Sequence, residues 1–166
     1  MFGEEPKIAK RTHPYAVLLT QDCDLEQDWF ARQDLKDEGL NKEKKERLLA
    51  RLLGSVLFAE ATTAQDLKDR IDFDKRVVER FEQNKDERYQ LLSPAPKEQD
   101  LQAEGFPALG LDFKKYFAIP VDEVYLRVQN GEARRRSALQ VPYSDHLSDR
   151  FFAFQSRIGL DVQHVT

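Results

Sequence analysis

The chain contains one cysteine, Cys23, and one tryptophan, Trp29, in 166 residues. A single thiol excludes an intramolecular disulfide and a multi-cysteine zinc site, and it fits a reducing compartment. Only three histidines occur, none at ligand spacing, so neither a metal site nor a cofactor is expected. Long apolar runs are missing too: none approaches the roughly 18 to 20 residues that a membrane helix needs. The opening residues, with Glu4, Glu5 and Lys7, have no signal-peptide apolar core. A cytoplasmic protein without membrane contact is therefore expected. Excess positive charge is also lacking. The net charge of −4 argues against broad electrostatic binding to nucleic acid, while a local basic patch stays open.

What is present describes a globular chain. Hydrophobic residues at 40% and charged residues at 34% suit one domain, residues 1–166, with a substantial core. The run Tyr15 to Leu19 is too short for a helix and reads as a buried strand, with His13-Pro14 leading in. It ends in the polar cluster Thr20, Gln21, Asp22, Cys23, Asp24. A short helix is expected from Leu25 to Leu35. A second, capped by Asn41, should run from Lys42 to about Leu53, with Gly54 as its stop. Ser55 to Ala61 reads as another buried strand. Thr63 can cap a helix holding Leu67 and Ile71, and a further helical stretch runs from Asp74 to about Asn84. Residues 25–85 thus form a mostly helical insertion.

The second half looks extended. Arg88–Ser93, Ala108–Phe113 and Tyr116–Ile119 are short strand candidates, and a proline-rich loop spans 94–107. Asn130-Gly131 between Tyr125–Gln129 and Glu132–Gln140 signals a β-hairpin. Ser144 can cap a last helix, Asp145 to Ile158, whose Leu147, Phe151, Phe154 and Ile158 form an apolar stripe. The fold class expected is α+β: about six short strands in a small, strongly bent antiparallel sheet or SH3-like barrel, with inserted helices and a C-terminal helix.

The polar cluster offers three chemistries. On a strand, Asp22 and Asp24 would face one side and could share an ion, an Asp-x-Asp arrangement resembling that of haloacid-dehalogenase-like phosphatases. Glu26 stands where that family has threonine. Cys23 could be a nucleophile if His13 or His146 lay near it. Alternatively Gln21, Asp22 and Asp24 cap the following helix. A catalytic set would thus be Asp22, Cys23, Asp24 and His146. Binding candidates are Gln21 in the same cluster, Arg134 and Arg136 on one face of the expected hairpin, and Phe152, which lies off the apolar stripe. The arginines suit phosphate or RNA backbone, or a charge-protected sheet edge.

The segments VLLTQDCDL (17–25) and YSDHLSDRFFAFQSRIGL (143–160) together resemble a group of uncharacterised bacterial proteins. In that group a strand ends in Ser/Thr-Gln-x-Cys-Asp and a late helix ends in Arg-Ile-Gly-Leu. More distantly, HPYAVLLTQD (13–22) is similar to the opening of PemK/MazF-type toxin barrels, which are SH3-like and cleave RNA. His13 stands where that pattern has arginine, the cation that metal-free RNA cleavage needs. The resemblance therefore implies the barrel more than the cleavage. The leading expectation is a non-enzymatic interaction or regulatory domain, in a bacterial toxin or defence setting, whose partner is another protein or RNA. The alternative is a hydrolase acting on RNA or a phosphate ester through the Gln-Asp-Cys-Asp cluster.

Overall fold

A computed structural model describes residues 13–139 and 143–156. The chain folds as strand β1 (Tyr15–Leu18), helices α1 (Asp22–Asp34) and α2 (Lys42–Leu49), strand β2 (Ser55–Thr63), helices α3 (Ala64–Ile71) and α4 (Lys75–Glu82), then strand β3 (Tyr89–Leu92). A short 3-10 turn, Lys97–Gln99, precedes strand β4 (Leu109–Pro120), and helices α5 (Val121–Gln129) and α6 (Tyr143–Ser156) follow. The class is α+β, as the sequence implies. No helix among the described residues is long and apolar enough to cross a membrane.

The sheet is fully antiparallel in the order β1-β2-β4-β3, so β2 and β4 are central and the two shortest strands form the edges. It is open, which corrects the barrel alternative: β1 and β3 do not meet. The expected count of about six strands falls to four among the described residues, for two reasons. The candidates at 108–113 and 116–119 are one strand, interrupted by a bulge where Ala59 faces Tyr116 but Ala61 faces Leu111. The extra residues shift β4 by one face, so that Phe113 and Tyr116, of opposite parity, both lie against Phe151 of α6.

The second reason is that the hairpin at Asn130-Gly131 does not exist. Residues 121–129 are helical. Asn130 is the C-cap of α5, and Gly131 adopts φ 73° in the position that ends it. The N–H groups of Glu132 and Ala133 both return to Arg127 O, at 2.8 and 3.1 Å. Asn-Gly signals a positive-φ requirement, and a helix terminus meets it as well as a type I′ turn does.

Three helix starts agree with the sequence. Asn41 Oδ1 accepts from Lys44 N at 2.8 Å, Thr63 Oγ1 from Asp66 N at 3.1 Å, and Asp74 Oδ1 from Arg76 N at 2.9 Å. Ser144, expected as a cap, instead lies inside the first turn of α6, which begins at Tyr143. Ile158 of the expected stripe lies outside the described residues.

Apolar packing covers both sheet faces. On one, α6 sets Leu147 and Phe151 over Leu19, Ala59, Ala61, Leu111 and Phe113. On the other, Leu67 and Ile71 of α3 and Phe81 of α4 form a second cluster with Tyr89. Gly110 makes that approach possible, since a Cβ there would stand 2.9 Å from Leu67 Cβ and 3.2 Å from Phe81 Cζ.

Candidate interaction site

The polar cluster is a helix start rather than a strand exit. β1 ends at Leu18, and Gln21, with extended φ/ψ of −63°/140°, is the N-cap residue of α1. Its carbonyl accepts from Asp24 N and Leu25 N at 3.1 and 3.3 Å, while its side chain makes no capping bond. Asp22, Cys23 and Asp24 therefore occupy the first helical turn, where acidic side chains complement the positive end of the dipole. Steps of ~100° per residue spread them around the axis, so Asp22 and Asp24 do not share a face as they would on a strand. All three are exposed. The Cys23 thiol has only local contacts, to Gln21 Oε1 at 3.6 Å and Asp24 Oδ1 at 3.9 Å.

The histidines do not join them. His13 stacks on Phe117 with ring centroids 4.3 Å apart, and its Nδ1 is 3.6 Å from Glu60 Oε2. His146 is exposed in the first turn of α6. Among the described residues, no group of three or more acidic, cysteine or histidine side chains could hold a metal.

Arg134 is exposed on the segment after α5, whereas Arg136 is engaged inside the protein. Its Nε and Nη2 donate to the two carboxylate oxygens of Asp100 at 2.9 and 2.6 Å, and Nη2 also reaches Gly105 O at 2.9 Å. Asp100 further accepts from the N–H groups of Gln102, Glu104 and Gly105. The Arg136 guanidinium, with these amides, holds the Asp100 carboxyl far below the usual carboxylate range despite burial. This pair organises the proline-rich loop. Arg134 and Arg136 share no strand face, because no strand forms there.

The organised site lies further along α1. Asp28 is completely buried, and sequence reasoning passed over it. Its Oδ2 accepts from Arg32 Nε at 2.7 Å and from the Tyr125 hydroxyl at 2.8 Å; its Oδ1 accepts from Leu53 N at 2.8 Å. Burial raises the Asp28 carboxyl, but the hydrogen bonds from Arg32, Leu53 and Tyr125 outweigh it and leave the group below its ordinary value. Tyr125 moves the other way. Burial first, then its bond to Asp28, push the phenol up to about 12. Arg32 completes the clamp by pairing with Asp122 and lying 5.6 Å from the centre of the Tyr125 ring. One carboxylate thus ties α1 to α5 and to the chain entering β2.

The clamp fixes what α1 presents outward. Trp29 and Phe30 are 48% and 59% exposed, and the Trp29 ring meets the Tyr125 ring edge-on at 5.4 Å. On the neighbouring α5, Leu126 and Val128 are about half exposed. Glu26, Gln33 and Asp34 surround Phe30 at helical spacing and are exposed as well. Phe152, at 56% exposure on α6, is a separate aromatic position. The i, i+4 pairing of Asp28 with Arg32 was available as a sequence signal. The contributions of Leu53 and Tyr125 were not, since they arrive from distant segments.

No family model, curated protein or solved structure shows significant similarity to this chain.

Proposed function

We propose that this protein is an interaction or regulatory domain that docks another protein through the outward face of α1. The observation that carries this reading is the combination of rigidity and exposure. Trp29 and Phe30 are about half exposed on a helix that the Asp28 clamp locks in place, and the Trp29 ring rests edge-on against Tyr125 of that clamp. Aromatic side chains held in place before binding lose little conformational freedom on contact, which makes them effective anchors. Glu26 and Asp34 beside Phe30 give the face an acidic rim, which favours a partner surface that is apolar at its centre and basic around it. The acidity also favours protein over RNA as the partner of this face. A cytoplasmic location rests on composition, and a bacterial toxin or defence setting rests on the motif resemblance.

The test is a comparison of Phe30→Glu with Phe73→Glu, a control at an 85% exposed phenylalanine outside α1. Against a purified partner captured from source cells, F30E should weaken binding about tenfold or more, the loss of one anchor contact, while F73E binds as wild type. Emission from Trp29, the only tryptophan, should shift on complex formation. Unchanged affinity in F30E sinks the reading. The hydrolase alternative draws on the exposure of the Cys23 thiol alone; turnover of RNA or a phosphate ester, lost in Cys23→Ser, would favour it.

A further inference from the structure

We propose that the open edge of β4 pairs with the same edge of a second copy, joining two sheets across a two-fold axis at Phe117. β4 spans Leu109–Pro120, but β3 pairs only with Leu109–Asp112. After Phe113 N donates to Arg88 O at 3.0 Å, no strand among the described residues lies along this side of β4, while β2 follows the other side to Pro120.

The direction of the free groups follows from the ladder. Val121 N donates to Gly54 O at 3.3 Å, so by antiparallel alternation the bonded pairs are Ile119 with Val56 and Phe117 with Phe58. Tyr116 and Ala118 must then aim their N–H and C=O groups away from β2. Leu57, opposite Ala118, agrees: its N–H goes to Thr20 Oγ1 and its C=O accepts from Leu19 N, each at 2.8 Å and both on the β1 side. The outward groups of Tyr116 and Ala118 have no hydrogen-bond partner among the described residues, and both residues are exposed.

The flanking sequence selects one register. Lys114, Lys115 and Pro120 bracket the stretch as edge guards do, but Tyr116 to Ile119 carries no charge. With the axis at Phe117, Tyr116 faces Ala118 of the second copy, large against small, and the two such pairs close every free N–H and C=O. Phe117 faces its own copy at a non-bonded position, where side chains approach most closely. Moving the axis to Lys115 would oppose Lys115 to itself. Moving it to Ile119 would set Ala118 against Pro120, which has no N–H. Centring on Tyr116 would set Ala118 against Lys114, whose N–H already goes to Asp112 Oδ1 at 3.1 Å.

Exposed aromatic surface borders the same edge. Tyr116, 48% exposed, and Phe152, 56% exposed, each pack on Phe151, at ring separations of 5.4 and 5.7 Å. Pairing would cover this patch, which is distinct from the α1 face.

Sedimentation equilibrium of the full chain should return a dimer. Ala118→Pro deletes an outward N–H without removing a β2–β4 bond, and it should return a monomer with unchanged circular dichroism. In a Cys23→Ser background, Phe117→Cys should oxidise to a covalent dimer, whereas Ala16→Cys on the β1 edge should not. A wild type that stays monomeric at all concentrations overturns the proposal and leaves the edge to a foreign strand. So does a dimer that A118P leaves intact. If A118P does not fold, the cysteine arm decides: a wild-type dimer whose F117C form fails to cross-link also overturns it.

Discussion

Replacing Asp28 with alanine tests whether one buried carboxylate holds α1 in place. Three donors lose their acceptor: Arg32 Nε, the Tyr125 hydroxyl and Leu53 N. Removing one partner of a buried ion pair costs about 3–5 kcal/mol. The lower end applies here, because Arg32 keeps Asp122 and its side chain is 22% exposed, so the cation is not stranded. The stranded Leu53 N–H adds to the loss, and a total of about 3 kcal/mol is expected. For a chain of this size that lowers Tm by about 6–12 °C. Asp28→Asn keeps the shape and an acceptor but turns a donor toward one of the three, so about 2 kcal/mol is expected. The measurement is urea and thermal unfolding, with Trp29 emission as a second readout, since its edge contact with Tyr125 depends on the clamp. The charge carries a pH signature. A carboxyl whose folded pKa lies below the unfolded value of 3.8 contributes stability that is full above 3.8 and is lost as pH falls through the folded pKa. D28N should therefore show a shallower acid limb in Tm against pH. A D28A protein within ~0.5 kcal/mol of wild type, the range of ordinary surface substitutions, would refute the clamp.

Tyr125 gives the opposite pH limb: with its phenol raised from 10.0 to about 12, its contribution is full below pH 10 and is lost as pH rises toward 12. Tyr125→Phe should flatten that alkaline decline, read as Tm against pH alongside tyrosinate absorbance. Gly110→Ala should cost about 1–3 kcal/mol, because its Cβ would strike Leu67 Cβ at 2.9 Å and force α3 off the sheet; chemical denaturation measures it. Gly131→Ala should cost about 1 kcal/mol by the same assay, for a different reason. Nothing lies within 4 Å of the added Cβ, so only the positive φ of 73° is penalised.

Legibility in the sequence tracked how local each signal was. Asn41, Thr63 and Asp74 each cap the helix that follows within a few residues, so side chain and target are set by neighbouring positions. α1 starts at Asp22, three residues before the expected Leu25, so Asp22 and Asp24 lie in its first turn, where their acidity suits a helix N-terminus, and not on a strand end. That small shift changed the chemistry, from carboxylates sharing a face to side chains fanned around an axis. At Asn130-Gly131 the positive φ that the dipeptide signals is present, but it ends a helix instead of joining two strands. Lys114-Lys115 looked like a break between strands, and the bulge there explains why.

The sequence by itself determined the α+β class, the short strands at the places of β1 and β3, the starts of α2, α3 and α4 and the apolar stripe of α6. All of these follow from periodicity and capping within a few residues. Tertiary structure decided the rest. Strand order, the open sheet and the outward edge of β4 depend on pairings between segments far apart in the chain, whose register no local pattern specifies. The same holds for the site: Asp28 becomes a clamp only because Leu53 and Tyr125 are brought to it. An acidic residue in a charged helix is unremarkable until folding removes its water and supplies three donors in exchange.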